Sequence, residues 1–219
     1  MMKKKIIILI VTLISQINIA QSTMFIDQFE GRLIERENFD ENNKLIDKQS
    51  FKVGKIVKNN NYYSIKIHTK TFDNREKLIE EFTINYKCKP EESSLMLMII
   101  PFTKSKANQK TMVIAKSSDF KKLYDLDNLR DIEVELKLES GLLKALGSKS
   151  KIKIYDRVIV LKGKEKIIES KVNLKVYALG IRVKYLKYKI IEKFTQEETL
   201  FFQKFVMNNG SYFTVTYLS

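Results

Sequence analysis

The sequence has little of the residue types that form covalent cross-links or carry metal and acid–base chemistry. Its 219 residues include one cysteine, one histidine, two prolines and no tryptophan. With Cys88 alone, no intramolecular disulfide can form, so a hydrophobic core has to hold the fold together. We interpret Cys88 as an inert, half-buried strand residue, with an intermolecular disulfide as the alternative. The same count excludes a bacterial lipoprotein, whose mature chain would begin with a lipid-bearing cysteine.

The chain also lacks recognisable catalytic motifs. It contains no serine-hydrolase elbow, no H-E-x-x-H pair, no phosphate-binding loop and no EF-hand. His68 is predicted to face solvent in the polar phase of its strand, and His68 with Cys88 is too small a ligand set for zinc. We therefore predict no metal, no cofactor and no enzymatic activity. A hydrolase of glycans, with carboxylates assembled from different strands, is the less favoured alternative.

The first 22 residues form a separate segment. Lysines at positions 3–5 precede a nine-residue run at 6–14 that is apolar at all but one position, and small residues follow at Ala20 and Ser22. This order is typical of a secretory signal peptide that is cleaved after Ser22 or after Ala20. The run is shorter than the roughly 20 residues that span a bilayer, and no later apolar run reaches that length. We predict an exported protein, periplasmic or extracellular, with no transmembrane span after cleavage.

The remaining residues, 23–219, show the composition and periodicity of strands. The chain has 13 Phe and 10 Tyr, and apolar residues alternate with polar ones at 63–71 and 132–139. After Tyr185 the apolar phase shifts by one residue, which predicts a β-bulge. Short helical pieces are expected within 119–129 and 141–147. We predict one mainly β domain: a single antiparallel sheet of consecutive hairpins, strongly curved or a half-barrel, with few short helices.

Two turns share a sequence pattern. F-D-x-x-x-K-L occurs at 39–45 and again at 72–78, each time between strand-like runs. Asp and Asn favour turns because their side chains bond the local backbone. We predict two hairpin tips here, and further turns at 59–61 and 208–210.

Two groups of residues resemble a known family. The first is the succession of the hairpins at 39–45 and 72–78 with the strand T-I-N-Y-K-C at 83–88, and the second is I-Y-D-R-V at 154–158 followed by G-K-E-K-I at 163–167. Together they resemble the TapB-like exported proteins of Bacteroidetes, β-rich relatives of a DUF3108-type domain of unknown function. The resemblance covers most of residues 29–219. It implies a curved antiparallel β domain in the bacterial envelope and brings no catalytic residues with it.

Positive charge is concentrated in one region. The formal net charge is +14, and residues 149–193 carry 14 Lys or Arg against four acidic residues. A basic stripe here would attract anionic lipid, lipopolysaccharide or acidic glycans, whereas the alternative is that the lysines only solvate the sheet and protect its edges. Nucleic acid is not an expected partner, because export removes it and no recognition motif is present. Lysines 149, 151 and 153 are expected to share a face with lysines 162, 164 and 166 of the paired strand. The candidate anionic-ligand surface comprises Lys149, Lys151, Lys153, Arg157, Lys162, Lys164, Lys166, Arg182 and Lys184.

Two non-enzymatic functions are compatible with these features. In the first, the concave face of the sheet binds an apolar or amphiphilic envelope ligand, and the basic region holds its anionic head. In the second, the protein is a structural or interaction module that contacts another envelope protein and binds no small ligand. Whether the concave face is open or filled decides between them.

Overall fold

The computed structural model describes residues 29–59, 61–89, 109–115, 129–138, 149–162 and 165–218. The predicted signal peptide lies outside this range, and so do the predicted helical pieces at 119–129 and 141–147, apart from Leu129. No helix in the described part of the chain is long and apolar enough to cross a lipid bilayer. The strands are β1 (Leu33–Phe39), β2 (Leu45–Lys58), β3 (Tyr63–Asp73), β4 (Leu78–Cys88), β5 (Gln109–Ala115), β6 (Ile132–Leu138), β7 (Lys149–Lys162), β8 (Glu165–Ala178), β9 (Ile181–Phe194), β10 (Leu200–Met207) and β11 (Tyr212–Leu218).

The strands belong to one sheet, and each strand pairs with its neighbours in chain order. β1 pairs with β2 on one side and with β11 on the other, so the sheet closes into a barrel with no free first or last strand. The prediction of a mainly β fold built on a single sheet is confirmed. The prediction of consecutive hairpins throughout is wrong at one place, because β4 and β5 run parallel. Parallel neighbours need a crossover connection, and residues 89–108 separate these two strands.

The two predicted F-D-x-x-x-K-L turns are hairpin tips. In each turn the aspartate carboxylate, on Asp40 or Asp73, accepts hydrogen bonds from the backbone amides two and four residues later, at 2.9 Å. The residue before each lysine, Asn43 or Glu76, has a positive φ. The turns after Thr195 and Met207 repeat the backbone hydrogen-bond pattern of these two tips. Four of the hairpins are thus closed by the same three-residue loop.

β9 departs from its prediction. Its register with β8 is continuous over residues 184–194, and the register shift lies at its beginning, beside Val183. Val183 and Tyr185 are exposed on the outer face, while the apolar row that begins at Leu186 points inward. The predicted bulge after Tyr185 is therefore wrong. The apolar phase changes because the exposed apolar residues on the outer face end at Tyr185, and the inward-facing row begins at Leu186.

The described side chains of the inner face are mostly buried against one another. Buried apolar residues from nearly every strand with described side chains form one cluster, and its aromatic members pack closely around Phe213. The ring of Phe213 stacks on Phe205 at 4.4 Å between centroids and meets Tyr188 edge-on at 5.7 Å. Burial of this kind is the main stabilising term in folding. We therefore look for a ligand surface on the outer face of the barrel.

A chain of buried polar groups crosses three adjacent strands within this core. The Tyr217 hydroxyl donates to Oε1 of Gln203 at 2.6 Å, and Nε2 of Gln203 donates to Oε1 of Glu192 at 2.7 Å. Glu192 and Gln203 are fully buried. Such groups are tolerated in a core only when they are hydrogen-bonded. Burial, and secondly the Glu192 charge, raise the pKa of Tyr217 well above its ordinary value.

Arg36 is a buried cation on the inner face of β1. Its guanidinium lies 3.9 Å from the centre of the Phe213 ring, and Nε donates to Oδ1 of Asn38 at 2.9 Å. Asn38 in turn donates to a carboxylate oxygen of Asp47 on β2. Burial lowers the pKa of Arg36 to about 10, and the Tyr188 and Asp47 groups oppose this shift. Arg36 remains charged at neutral pH, and the aromatic ring beneath it replaces part of its lost hydration.

We expect Asp73→Ala to lower the melting temperature, because two turn amides lose their acceptor. Asp73→Asn retains an acceptor oxygen and is the matched control. The backbone amides of Lys77 and Arg75 lower the pKa of Asp73. Its contribution is therefore complete above the unfolded pKa of about 3.9 and is lost as the pH falls through the folded value. Equal acid sensitivity of wild type and Asp73→Asn in circular-dichroism melts would contradict this account.

Tyr217→Phe is expected to destabilise the fold by about 1–3 kcal/mol, since the buried Gln203 loses a hydrogen-bond donor. Tyr212→Phe, on the same strand but only half-buried, is the control and is expected to change stability by less than about 0.5 kcal/mol. Urea titrations measure both values.

The raised pKa of Tyr217 also predicts a loss of stability in alkali. In the unfolded chain this tyrosine releases its proton near pH 10, below the pH at which it does so in the folded state. Its stabilising contribution is therefore complete below about pH 10 and declines as the pH rises toward the folded pKa. Tyr217→Phe should show a shallower alkaline decline than wild type, and an identical slope would refute the assignment.

Candidate anionic-ligand surface

Three of the predicted basic residues share the outer face of β7. Lys149, Lys151 and Lys153 alternate with residues of the opposite phase, of which Ile152 and Ile154 are buried in the core. Because successive side chains of a strand point to opposite faces, the lysines project outward. This part of the predicted surface is assembled as expected.

The strand opposite these lysines differs from the predicted one. β7 pairs with β8 so that Lys151 lies opposite Lys175 and Lys153 lies opposite Asn173. Lys166, which was expected beside them, pairs with Leu161 near the other end of the hairpin, about 33 Å away along the strand. Its ammonium group forms an ion pair with Glu198. The side chain of Lys162 and all of Lys164 lie outside the described residues.

The other three predicted residues are separated from one another. Arg157 lies in the β7 bulge, where Nη1 donates to the carbonyl oxygen of Arg130 at 3.3 Å. Arg182 is exposed on the outer face near the start of β9, with its guanidinium 5.3 Å from the centre of the Tyr185 ring. Lys184 is exposed too, but it lies in the opposite strand phase.

Sequence reasoning missed the aromatic and basic residues that complete this face. Tyr177 on β8 and Tyr185 on β9 project outward beside the lysines. Cations lie 5.3–5.7 Å from the ring centres: Lys151 at Tyr177, and Lys175, Lys187 and Arg182 at Tyr185. The alternation of Lys and Tyr in the sequence was the available signal, but only the strand register shows which residues are neighbours.

Acidic residues neutralise one side of this face. The buried carboxylate of Glu135 on β6 lies 3.5–4.0 Å from the ammonium groups of Lys137, Lys149 and Lys151. Lys153 lies 3.5 Å from Asp131. On β8 and β9, by contrast, no carboxylate of the described residues lies within ion-pair distance of Lys175, Arg182 or Lys187. At the end of the sheet near the β8–β9 turn, positive charge without an acidic partner among the described residues therefore increases from β6 toward β9.

A groove with a volume of about 210 Å³ opens between β6, β7 and β8. This volume is below the roughly 300 Å³ of pockets that enclose a drug-sized ligand, so it suits a single headgroup or sugar unit. Ammonium groups supply charge, Asn173 supplies an amide, and Tyr177 supplies an aromatic wall. The groove is lined by Glu133, Val134, Lys151, Ile152, Lys153, Asn173, Lys175 and Tyr177.

Other candidate groups are engaged elsewhere. His68 contacts Thr83 at 3.1 Å through Nδ1 and Glu81 at 2.7 Å through Nε2, on the outer face of β3. Lys171 donates to Asp156 at 2.9 Å, which raises the lysine pKa, and it lies beyond the groove. Within the described residues, no group of three or more His, Cys, Asp or Glu side chains is placed to hold a metal ion. Cys88 is buried in β4 rather than half-buried.

Comparison with known proteins finds similar solved structures but no matching family. No family model and no curated protein matches the chain. A Bacteroides fragilis protein, described as exported and as having a YmcC-like fold, is 12% identical with a TM-score of 0.43, over 86% of this chain and 94% of that chain. A Parabacteroides distasonis protein, described as a lipoprotein, is 12% identical with a TM-score of 0.47, over 89% and 97%. At these values, the resemblance to TapB-like proteins, the export and the absence of a lipid anchor stay predictions.

Proposed function

We propose that this is an exported, non-catalytic protein of the cell envelope that binds an anionic saccharide on the outer face of its sheet. The ligand class is a sugar carrying phosphate or carboxylate, such as the charged part of lipopolysaccharide or an acidic glycan. The binding surface is the groove between β6, β7 and β8. The proposed site lies on the convex face of the sheet, rather than in the concave face that the sequence suggested.

One observation carries the proposal: three lysines from two strands meet at one groove. Lys151 and Lys175 are cross-strand partners, and Lys153 is the neighbour of Lys151 on the same face. Like charges directly opposite each other on a sheet are destabilising. An anion bound between them would relieve this repulsion, and its oxygens would accept charge-assisted hydrogen bonds.

The uncharged groups of the groove favour a sugar over a bare ion. The ring of Tyr177 offers an apolar surface against which a sugar ring can pack, and the hydroxyl of Tyr155 holds the Asn173 side chain through a hydrogen bond of 3.5 Å. The amide of Asn173 can hydrogen-bond to sugar hydroxyls. A simple anion would make no use of the apolar ring surface of Tyr177.

The experiment is isothermal titration calorimetry of the purified protein with three saccharides. Oligogalacturonate tests carboxylates, deacylated lipopolysaccharide tests phosphates, and maltoheptaose is the neutral control. Binding of either charged saccharide, weakened as salt screens the lysines, is expected. Equal heats for all three, or none at all, would overturn the proposal.

Removing groove charge is expected to weaken this binding. The double substitution Lys153→Gln with Lys175→Gln should raise the Kd for the charged saccharide at least about tenfold, because hydrogen bonds to charged groups are lost. Lys189→Gln with Lys193→Gln removes two charges from the same outer face, where each lysine has its own acidic partner on β8. A similar loss in both double variants would mean that net charge alone, and not the groove, binds the saccharide.

A charge change of the opposite sign gives a gain of affinity. Glu133 lines the groove with a negative charge, so Glu133→Gln is expected to lower the Kd severalfold. The measurement is the same titration at low salt. Weaker binding in Glu133→Gln would show that the carboxylate hydrogen-bonds to sugar hydroxyls rather than repelling the anion.

A further inference from the structure

The turn between β8 and β9 presents apolar side chains to solvent. Leu179, Ile181 and Val183 are 68%, 69% and 60% exposed, and together they form what we call the hairpin tip. Two of the three, Leu179 and Ile181, are the most exposed large apolar residues in the described chain. Scattered single apolar residues on a surface need no explanation, but a cluster of them indicates an interaction site.

The backbone of the turn makes the leucine more unusual. Leu179 and Gly180 both have positive φ, 52° and 77°. A two-residue hairpin turn with this geometry favours Asn followed by Gly, because leucine in the left-handed region is strained. The chain therefore places a large apolar side chain where both the backbone and the solvent disfavour it.

Cations surround the hairpin tip without acidic partners. Arg182, Lys184 and Lys187 follow it along β9, and no carboxylate of the described residues lies within ion-pair distance of them. Tyr185 stands among them, with Arg182 and Lys187 each 5.3 Å from its ring centre. An apolar end, an amphipathic aromatic ring and a group of cations thus follow one another along one short segment.

We propose that the hairpin tip inserts into the interfacial layer of an anionic lipid bilayer. The leucine, isoleucine and valine would enter the acyl boundary, Tyr185 would lie at headgroup level, and the cations would bind lipid phosphates. Positive charge complementary to the lipid, next to exposed apolar side chains, is what identifies this partner. The surface adjoins the saccharide groove, since Tyr185 lies opposite Lys175 and Arg182 lies opposite Tyr177. None of its apolar residues lines the groove, so the inference does not rest on the proposed function.

Strand pairing limits the depth of insertion. Residues 181–187 pair with β8 on one side, while β10 pairs with β9 only from Tyr188 onward. The open edge carries backbone groups that need water or headgroups as partners, so the hairpin cannot enter the hydrocarbon core. The same edge could pair with the edge of a second copy of this chain, which is the competing interpretation.

The test is co-sedimentation of the full chain with vesicles of phosphatidylglycerol and phosphatidylcholine. Leu179→Asn removes the apolar side chain and gives the turn its favoured sequence, so the hairpin is retained. Its vesicle partition coefficient is expected to fall about tenfold. Lys184→Gln with Lys187→Gln should lower the coefficient about fivefold for each charge, and pure phosphatidylcholine should bind weakly.

A matched pair of isoleucines provides the control. Ile79 on β4 is 62% exposed, close to the value for Ile181, but Glu76, Glu80 and Glu81 offset the charges of Arg75 and Lys77 beside it. Ile181→Thr should weaken vesicle binding and Ile79→Thr should not.

Equal effects of these two substitutions, or adsorption unchanged by Leu179→Asn, would overturn the proposal. The proposal would also be overturned if the wild type did not bind vesicles but dimerised with increasing concentration, and if Val183→Pro abolished that dimerisation. Leu179→Asn leaves the saccharide groove intact, so a saccharide titration of this variant distinguishes failure of the lipid proposal from failure of the groove proposal.

Discussion

The fold depends on β1 being held between β2 and β11. All seven residues of β1 pair on both sides, so the first and last described strands become neighbours and the inner surface is enclosed. Enclosure determines what the inner side chains can be. They are mostly apolar, and among the inward polar groups are the hydrogen-bonded chain from Tyr217 to Glu192 and Arg36, which stacks on Phe213. Because the described inner side chains form one buried cluster, the proposed ligand site lies on the outer face.

The outer face is not uniformly basic, because its ion pairs are unevenly distributed. On β6 a single buried carboxylate, Glu135, offsets three lysines, which fixes their positions and cancels part of their field. Near the β8–β9 turn, Lys175, Arg182 and Lys187 have no such partner among the described residues, and the ring of Tyr185 lies beside them instead. A ring attracts a cation without neutralising it, so the field of Lys175 and Arg182 remains available to an incoming anion. The groove lies between the lysines that are paired with Glu135 and the cations beside Tyr185. The hairpin tip lies beyond those cations, at the β8–β9 turn.

The local parts of this fold could be predicted from the sequence, and the long-range parts could not. The turns at Asp40 and Asp73 were predictable because a few residues encode them, and the strands were predictable from period-two alternation. The basic stripe was only half predicted, since the partner of Lys151 depends on where the β7–β8 hairpin turns. Pairing between strands that are far apart in the sequence, such as β4 and β5, cannot be predicted from local residue patterns. The apolar run containing Val183 was misinterpreted, because periodicity shows that residues share a face but not whether that face is buried.

The repeated three-residue loop has a consequence for the order in which the chain folds. Each loop is specified within about five residues, so the hairpins it closes bring together only nearby parts of the chain and can form within microseconds. Closure is different, because Leu33 pairs with Leu218 and this contact must wait for the entire chain. Until the last strand is available, β1 and its neighbours hold an apolar face with nothing to cover it. We therefore expect the meeting of preformed hairpins to be the slow step of folding, and the open sheet that precedes it to be the species most exposed to aggregation.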